Sequence, residues 1–212
     1  MADIILDVQS NPSTPSAGQL VVFGNTTTKR LTTVNDAGMA DTVGGITNAS
    51  TANQTGFAAD TYLVGSSLSI PPALLRVGTT YRLKFDMVKT AAGTATPILI
   101  VRIGTAGTTA DAARLTFTFA AGTAAIDTGV FEVRVHVRTA GATAVIVGAA
   151  SCNHHLAATG LTSTGASGTG IILATSAAFD ATVTNSIIGA SFNGGASFSG
   201  TNVLVESELL NC

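Results

Sequence analysis

TTYRLKFDMV (Thr79–Val88) sets Tyr81, Leu83, Phe85 and Met87 at alternate positions, with Arg82, Lys84 and Asp86 between them. GVFEVRVHVR (Gly129–Arg138) repeats the pattern, with Phe131, Val133, Val135 and Val137 against Glu132, Arg134, His136 and Arg138. Successive side chains of a strand point to opposite faces, so this period of two predicts two half-buried β-strands. Between them lie Pro97–Gly104 (PILIVRIG) and Arg114–Phe119 (RLTFTF), separated by Gly, Thr and Ala turn segments. Thr143–Leu156 (TAVIVGAASCNHHL) follows as another strand, long or broken at Gly148. Short apolar strands at this spacing predict an all-β sandwich or barrel.

Working outward toward the C-terminus, Gly160–Gly170 is uncharged and rich in Gly, Ser and Thr, and reads as a loop. Ile171–Phe179 and Asn185–Phe192 predict two further strands. Asn202–Leu210 (NVLVESELL) alternates Val203, Val205 and Ser207 against Leu204, Glu206 and Glu208. Toward the N-terminus, Asp60–Ile70 (DTYLVGSSLSI) opens the main domain and Pro71-Pro72 ends that strand, because proline cannot donate to a ladder. Ala73–Val77 is the one helical candidate, a single turn. Roughly eight or nine strands in this region predict a jelly-roll-like two-sheet β-sandwich. In that topology Asn202–Leu210 returns beside Asp60–Ile70.

Residues 1–20 are polar, carry Pro12 and Pro15, and read as an extended arm. Leu20–Phe23 and Arg30–Val34 are short strands, and Asn35-Asp36-Ala37-Gly38 has turn chemistry. A small β-hairpin or three-strand unit ending near Val43 is expected, followed by Gly44–Gly56 as a linker or a loop on a neighbour. The chain therefore divides into an N-terminal arm and hairpin (1–59) and a sandwich domain (60–212).

Composition limits what such a domain does. Only 10% of residues are charged and 5% aromatic, Trp is absent, and mean hydropathy is +0.45. Ordinary domains carry about 25% charged residues. The surface must therefore be largely Ala, Thr, Ser and Gly, which suits a subunit covered by copies of itself or by a larger shell. Net charge is −2 with the basic residues scattered, so no footprint for nucleic acid is expected. No run approaches the roughly twenty apolar residues of a membrane span. MADIILDVQS has no basic n-region or long apolar core, which predicts synthesis in a cytoplasm without export by a signal peptide. The sequons at Asn25, Asn48 and Asn53 are then expected to stay unmodified.

Motifs for chemistry are sparse. VFGNTTTKR places Gly24 before Lys29, but a phosphate loop needs Gly before the lysine and Ser or Thr after it; here Thr28 and Arg30 stand there. There is no G-x-S-x-G elbow. His154 and His155 are adjacent, so on a strand they face opposite sides and cannot share a metal. No C-x-x-C or H-E-x-x-H spacing occurs, and no metal or cofactor is expected. His136 falls on the wet side of its strand with Glu132, Arg134 and Arg138. A glycosidase needs two carboxylates about 5–10 Å apart. Asp86, Asp111, Asp127, Glu132, Asp180, Glu206 and Glu208 are candidates that sequence cannot pair, and they read as solvating charges or cross-strand partners of Arg82, Arg134 and Arg138. Tyr62 and Tyr81 are the only tyrosines on which a sugar could stack, and Tyr81 lies on the apolar side. Two cysteines are too few for a disulfide framework. Cys152 reads as a small buried hydrophobe, and Cys212 as a terminal thiol or a link between subunits in an oxidising medium.

Asp60–Phe119 and FDATVTNSIIGASFNGG (Phe179–Gly195) together resemble virion structural proteins of tailed bacteriophages that carry a jelly-roll-like domain. VVFGNTTTKRLTTVNDAGMADTVGG (Val21–Gly45) is similar to the short hairpin preceding the exposed domain of some phage fibre and head-decoration proteins. The resemblance covers roughly residues 20–210 and rests on strand and turn patterns, so it carries no catalytic residue across. It implies a homotrimer, an N-terminal part that docks on the major capsid protein or another virion protein, and an outward β-domain. The expected function is non-enzymatic: capsid decoration, or a head or tail fibre. The alternative is a host-receptor or glycan-binding module of a phage tail, with a host surface glycan as partner. Short strands with free edges invite pairing, which makes Leu20, Val21, Val22, Phe23, Arg30, Leu31 and Val34 the expected docking residues.

Overall fold

The computed structural model describes residues 8–9, 12–25, 31–35, 40–42, 45–70, 75–90, 92–156, 158–162, 171–183 and 185–210. Strands β1 (Val8–Gln9), β2 (Leu20–Asn25), β3 (Leu31–Asn35) and β4 (Ala40–Thr42) form a small N-terminal sheet in that order. β2 and β3 pair antiparallel, with Val21 opposite Val34 and Phe23 opposite Thr32, and β1 runs parallel to β2. Phe23, Thr32 and Val34 are buried together on one face of this sheet.

The other strands are β5 (Ile46–Ala49), β6 (Gln54–Gly56), β7 (Thr61–Tyr62), β8 (Leu68–Ile70), β9 (Thr80–Lys89), β10 (Ile98–Gly104), β11 (Ala112–Thr118), β12 (Asp127–Thr139), β13 (Val145–His154), β14 (Ile172–Thr175), β15 (Ser186–Asn193), β16 (Gly200–Asn202) and β17 (Val205–Leu210). They make two antiparallel sheets. The wide sheet runs β14-β13-β12-β9, with β17 and β16 end to end along β9, and β5 and β6 along those. The narrow sheet runs β11-β10-β15, with β7 and β8 on the far edge of β15. This is an all-β two-sheet sandwich.

The alternation read in the sequence is what builds its core. Tyr81, Leu83, Phe85 and Met87 of β9 and Phe131, Val133, Val135 and Val137 of β12 are all buried on the inner face. They meet Leu99, Val101 and Ile103 of β10 and Ile188, Ala190 and Phe192 of β15. An aromatic cluster ties the sheets together. Phe85 stacks on Phe131 with centroids 5.0 Å apart, and Phe192 from the narrow sheet reaches both, at 5.7 and 5.1 Å. Phe57 and Phe198 close on Phe192 at 6.0 and 5.9 Å. Such tilted and edge-on pairs add to the area removed from water.

Three details depart from expectation. The last strand does not lie beside Asp60–Ile70; β17 sits between β9 and β5. That register puts Val205 and Leu209 inward beside Phe85 and Tyr81, and sets Glu206 and Glu208 opposite Lys84 and Arg82, so both burial and charge pairing favour it. Asp60–Ile70 is itself divided into β7 and β8. Second, Gly44–Gly56 contains β5 and β6, so the strand content of the sandwich begins before residue 60. Third, Leu75–Val77 are not helical, residues 73 and 74 lying outside the described set; a 3-10 turn forms instead at Gly141–Thr143. Among the described residues no helix is long and apolar enough to cross a membrane.

Candidate functional site

The outer face of the wide sheet is concave, a trough of about 980 Å³ whose polar floor comes from five adjacent strands. Its charges follow directly from the strand register. One rung reads Ala49, Glu206, Lys84, Glu132, Ser151; the next reads Thr47, Glu208, Arg82, Arg134, Ala149, Leu173. All three glutamates of the chain are therefore on this face, with three of its cations. Arg82 Nη1 donates to Glu208 Oε1 at 3.0 Å. Lys84, Glu132, Arg134 and Glu206 have no ion pair within 4 Å among the described residues. On the edge strand Leu173, 77% exposed, stands beside Ala149, and Ile171, 70% exposed, lines the same trough. The expectation that Glu206 and Glu208 share the solvated side of their strand holds. His136, expected in solvent, is half-buried, with Nδ1 3.0 Å from Thr80 Oγ1.

A second polar cluster is sealed inside the sandwich at the end where Lys89 and Asp127 pair across β9 and β12. Asp127 Oδ2 lies 2.6 Å from His154 Nδ1, and both side chains are wholly inaccessible. The carboxylate also accepts from the backbone N–H groups of Thr128, Leu156 and Leu161, at 2.8, 3.2 and 3.0 Å. Lys89 Nζ donates to the carbonyls of Thr123 and Gly160. Burial pulls the Lys89 ammonium below its ordinary range, and the charge of Asp127 works against that shift. Gly160 adopts φ +99°, and a Cβ there would come within 2.2 Å of Asp127 Oδ2, so glycine alone fits against the carboxylate. Asp127 and His154 have the mutual geometry of a base and its orienting carboxylate, with neither side chain accessible from the surface. Their observable work is to tie the segments around 123–128 and 156–161 to the sheet. Cys152 is buried as expected, and burial first, then the charge of Asp127, push its thiol up to about 12, which keeps it protonated and unreactive.

A third cluster lies at the narrow sheet. Arg102 sits in the apolar run PILIVRIG, and the fold covers it. Its Nε donates to Ser191 Oγ at 2.9 Å, Nη1 to the Asp111 carbonyl at 2.7 Å, and Nη2 to Asp60 Oδ2. Asp111 in turn accepts from the N–H groups of Ala106 and Gly107. Nearby, burial first and the charge of Asp111 second push the Tyr62 phenol up to about 12. Tyr81, whose hydroxyl donates to the Ser66 carbonyl at 2.8 Å, is held well above the ordinary range by burial and then by Tyr62. These are the only tyrosines and there is no Trp, so the near-ultraviolet spectrum reports them directly. Between pH 10 and about 12 the unfolded chain releases phenolic protons that the folded chain keeps; stability therefore falls as pH rises, by at most about 1.4 kcal/mol per pH unit for buried Tyr81 and by less for Tyr62, whose shift solvent screens. The expected titration shows little tyrosinate absorbance at pH 11 in the native protein, against about nine-tenths ionisation in guanidinium. A native step at the ordinary phenol value would refute the burial of both hydroxyls.

Of the expected docking residues, Leu20 and Val22 are 60% and 42% exposed on one face of β2, whereas Phe23 and Val34 are buried and Val21 is half-buried. Leu31 is in β3 opposite Gly24. Arg30 and Cys212 lie outside the described residues. Among those described, no three His, Cys, Asp or Glu side chains converge as metal ligands. The alternating strands gave away the outward glutamates and arginines of the trough; carried to the strand ends, the same alternation puts Lys89 and Asp127 on the inner side, whereas nothing in the sequence marked Arg102 as buried.

Fold and surface together define the class as an antiparallel β-sandwich with a charged, concave outer sheet. No protein-family model and no curated protein matches the chain. Among solved structures, one of infectious bursal disease virus, Gx strain, aligns with 81% of this chain and 43% of that chain at 13% identity, with a TM-score of 0.14. The chain thus spans less than half of that protein's length, and a likeness at this level carries no argument.

Proposed function

We propose that this chain is a non-enzymatic structural protein of a tailed-bacteriophage virion, a capsid decoration protein or a head or tail fibre. It acts by packing against copies of itself, as a homotrimer, and by docking on the major capsid protein or another virion protein. The observation that carries this reading is how unevenly the surface is charged. The trough concentrates the glutamates and three cations, while Val64, Val77, Ile126, Val183 and Val203 stand exposed elsewhere on a chain with only 10% charged residues. Apolar surface of that kind gains about 25 cal/mol per Å² when a neighbour covers it, before association costs. Leu20 and Val22 supply a docking face that is exposed in the single chain. The trough favours a second reading, a module of a phage tail that binds a host surface glycan.

The test uses the full chain with Leu20→Asp and Val22→Asp together. Wild-type protein is expected to scatter light as a trimer of the 21.1 kDa chain and to co-sediment with particles of the phage that encodes it. The double variant is expected to keep its mass and lose particle binding by at least about a hundredfold, from two apolar side chains at about 1.5 kcal/mol or more each. A monomer that binds no particle overturns the proposal.

A further inference from the structure

We propose that the trough on the wide sheet is a binding site for an acidic oligosaccharide, in which Arg134 and Lys84 hold a sugar carboxylate while Glu132 and Glu206 accept sugar hydroxyls. This deepens the glycan-binding reading and is independent of particle docking. The argument begins with a placement the fold does not need. Arg82 and Arg134 are direct cross-strand neighbours on the two central strands, and like charges directly opposite destabilise a sheet. Glu208 neutralises Arg82. On its other side Arg134 has Ala149, and among the described residues no carboxylate lies within 4 Å of its guanidinium at the trough. A planar guanidinium fork matches a carboxylate in two parallel hydrogen bonds, and Lys84, on the diagonal, adds a point charge.

The carboxylates supply the second half of the recognition. Glu206 and Glu132 flank Lys84 on the same rung, and neither is bonded to it within 4 Å. An ionised carboxylate is an acceptor with two oxygens, so each can take a pair of neighbouring hydroxyl donors. Ile171 and Leu173 then form an apolar ledge at one side, against which the C–H face of a sugar ring can lie. The volume is at the upper end of the roughly 300–1,000 Å³ of ligand clefts, and the trough crosses five strands, which suits a short extended oligomer.

Charge and shape decide among occupants. A second copy presents the same concave face, and two hollows do not fill each other. A nucleic acid brings a phosphate on every unit but few hydroxyls to donate to the three glutamates, and a cationic peptide meets three cations at the centre. A neutral sugar leaves Arg134 unpaired. Hydroxyl-rich rings bearing one carboxylate each match both sets.

Titration calorimetry on the full chain tests this with a galacturonic acid hexamer, a sialic acid trimer and, as the neutral counterpart, a galactose hexamer. At least one acidic probe is expected to bind at millimolar affinity or tighter, with the neutral hexamer at least about tenfold weaker. Arg134→Gln and Glu132→Gln are each expected to weaken it by at least about tenfold, with melting curves confirming that both fold. Arg76→Gln, an exposed cation outside the trough, is expected to leave affinity unchanged. Absence of binding by both acidic probes overturns the proposal. So does affinity that is indifferent to Arg134, equal for the neutral probe, or equally sensitive to Arg76.

Discussion

Phe192→Ala is expected to lower the unfolding free energy by about 3–5 kcal/mol, the cost of emptying a fully buried aromatic site. The position is the worst one in the sandwich to vacate. Phe192 comes from the narrow sheet and is wholly buried, and its ring meets Phe85 and Phe131 of the wide sheet as well as Phe57 and Phe198. Four rings lose a neighbour at once, and strands fixed by hydrogen bonds on both sides cannot collapse into the gap. Domains are typically stable by about 5–15 kcal/mol, so this one change removes a large share. Guanidinium unfolding followed by far-ultraviolet circular dichroism reads it. A loss below about 1 kcal/mol would mean the sheets are not locked through this ring.

Asp127→Ala is expected to cost about the same, about 3–5 kcal/mol, by a different route. The substitution leaves His154 Nδ1 and the N–H groups of Leu156 and Leu161 without their acceptor in a site that excludes water. It also removes the one negative charge that offsets the burial of Lys89. The second arm of the test follows from that. Adding Lys89→Met to Asp127→Ala is expected to recover part of the loss, because the isolated ammonium is gone; Lys89→Met alone is expected to destabilise, since its partners and Asp127 remain. Strict additivity of the two changes would show that the residues do not act as one cluster.

How much was legible follows from where hydrophobic periodicity exists. Thr80–Lys89 and Asp127–Thr139 have one face in the core and one in water, so the side on which each residue falls was readable from the alternation, including the outward Arg82, Lys84, Glu132 and Arg134 that floor the trough. β5 and β6 have no such contrast. Apart from half-buried Ile46, β5 is exposed polar or small side chains, and the segment becomes a strand because β17 and β16 offer it a partner edge. That is a tertiary effect, invisible to a local window. The buried clusters were hidden for a related reason. Arg102 sits among isoleucines, and His154 beside His155, with no sign that loops fold over one and seal in the other. The convergence of Arg134, Lys84, Glu132 and Glu206 depends on which strands neighbour which, and sequence placed the last strand against the wrong one.

That placement of the final strand has a consequence for biosynthesis. β17 and β16 fill the slot between β9 and the pair β5 and β6, and β15 fills the slot between β10 and the pair β7 and β8. A nascent chain that has left the ribosome as far as His154 thus holds the three-strand unit β9-β12-β13 and the hairpin β10-β11, with four early strands, β5 to β8, waiting for partners not yet translated. At roughly 5–20 residues per second that wait lasts on the order of several seconds. Apolar edges stay open throughout it, and a polypeptide stalled short of Ser186 contains neither sheet in finished form.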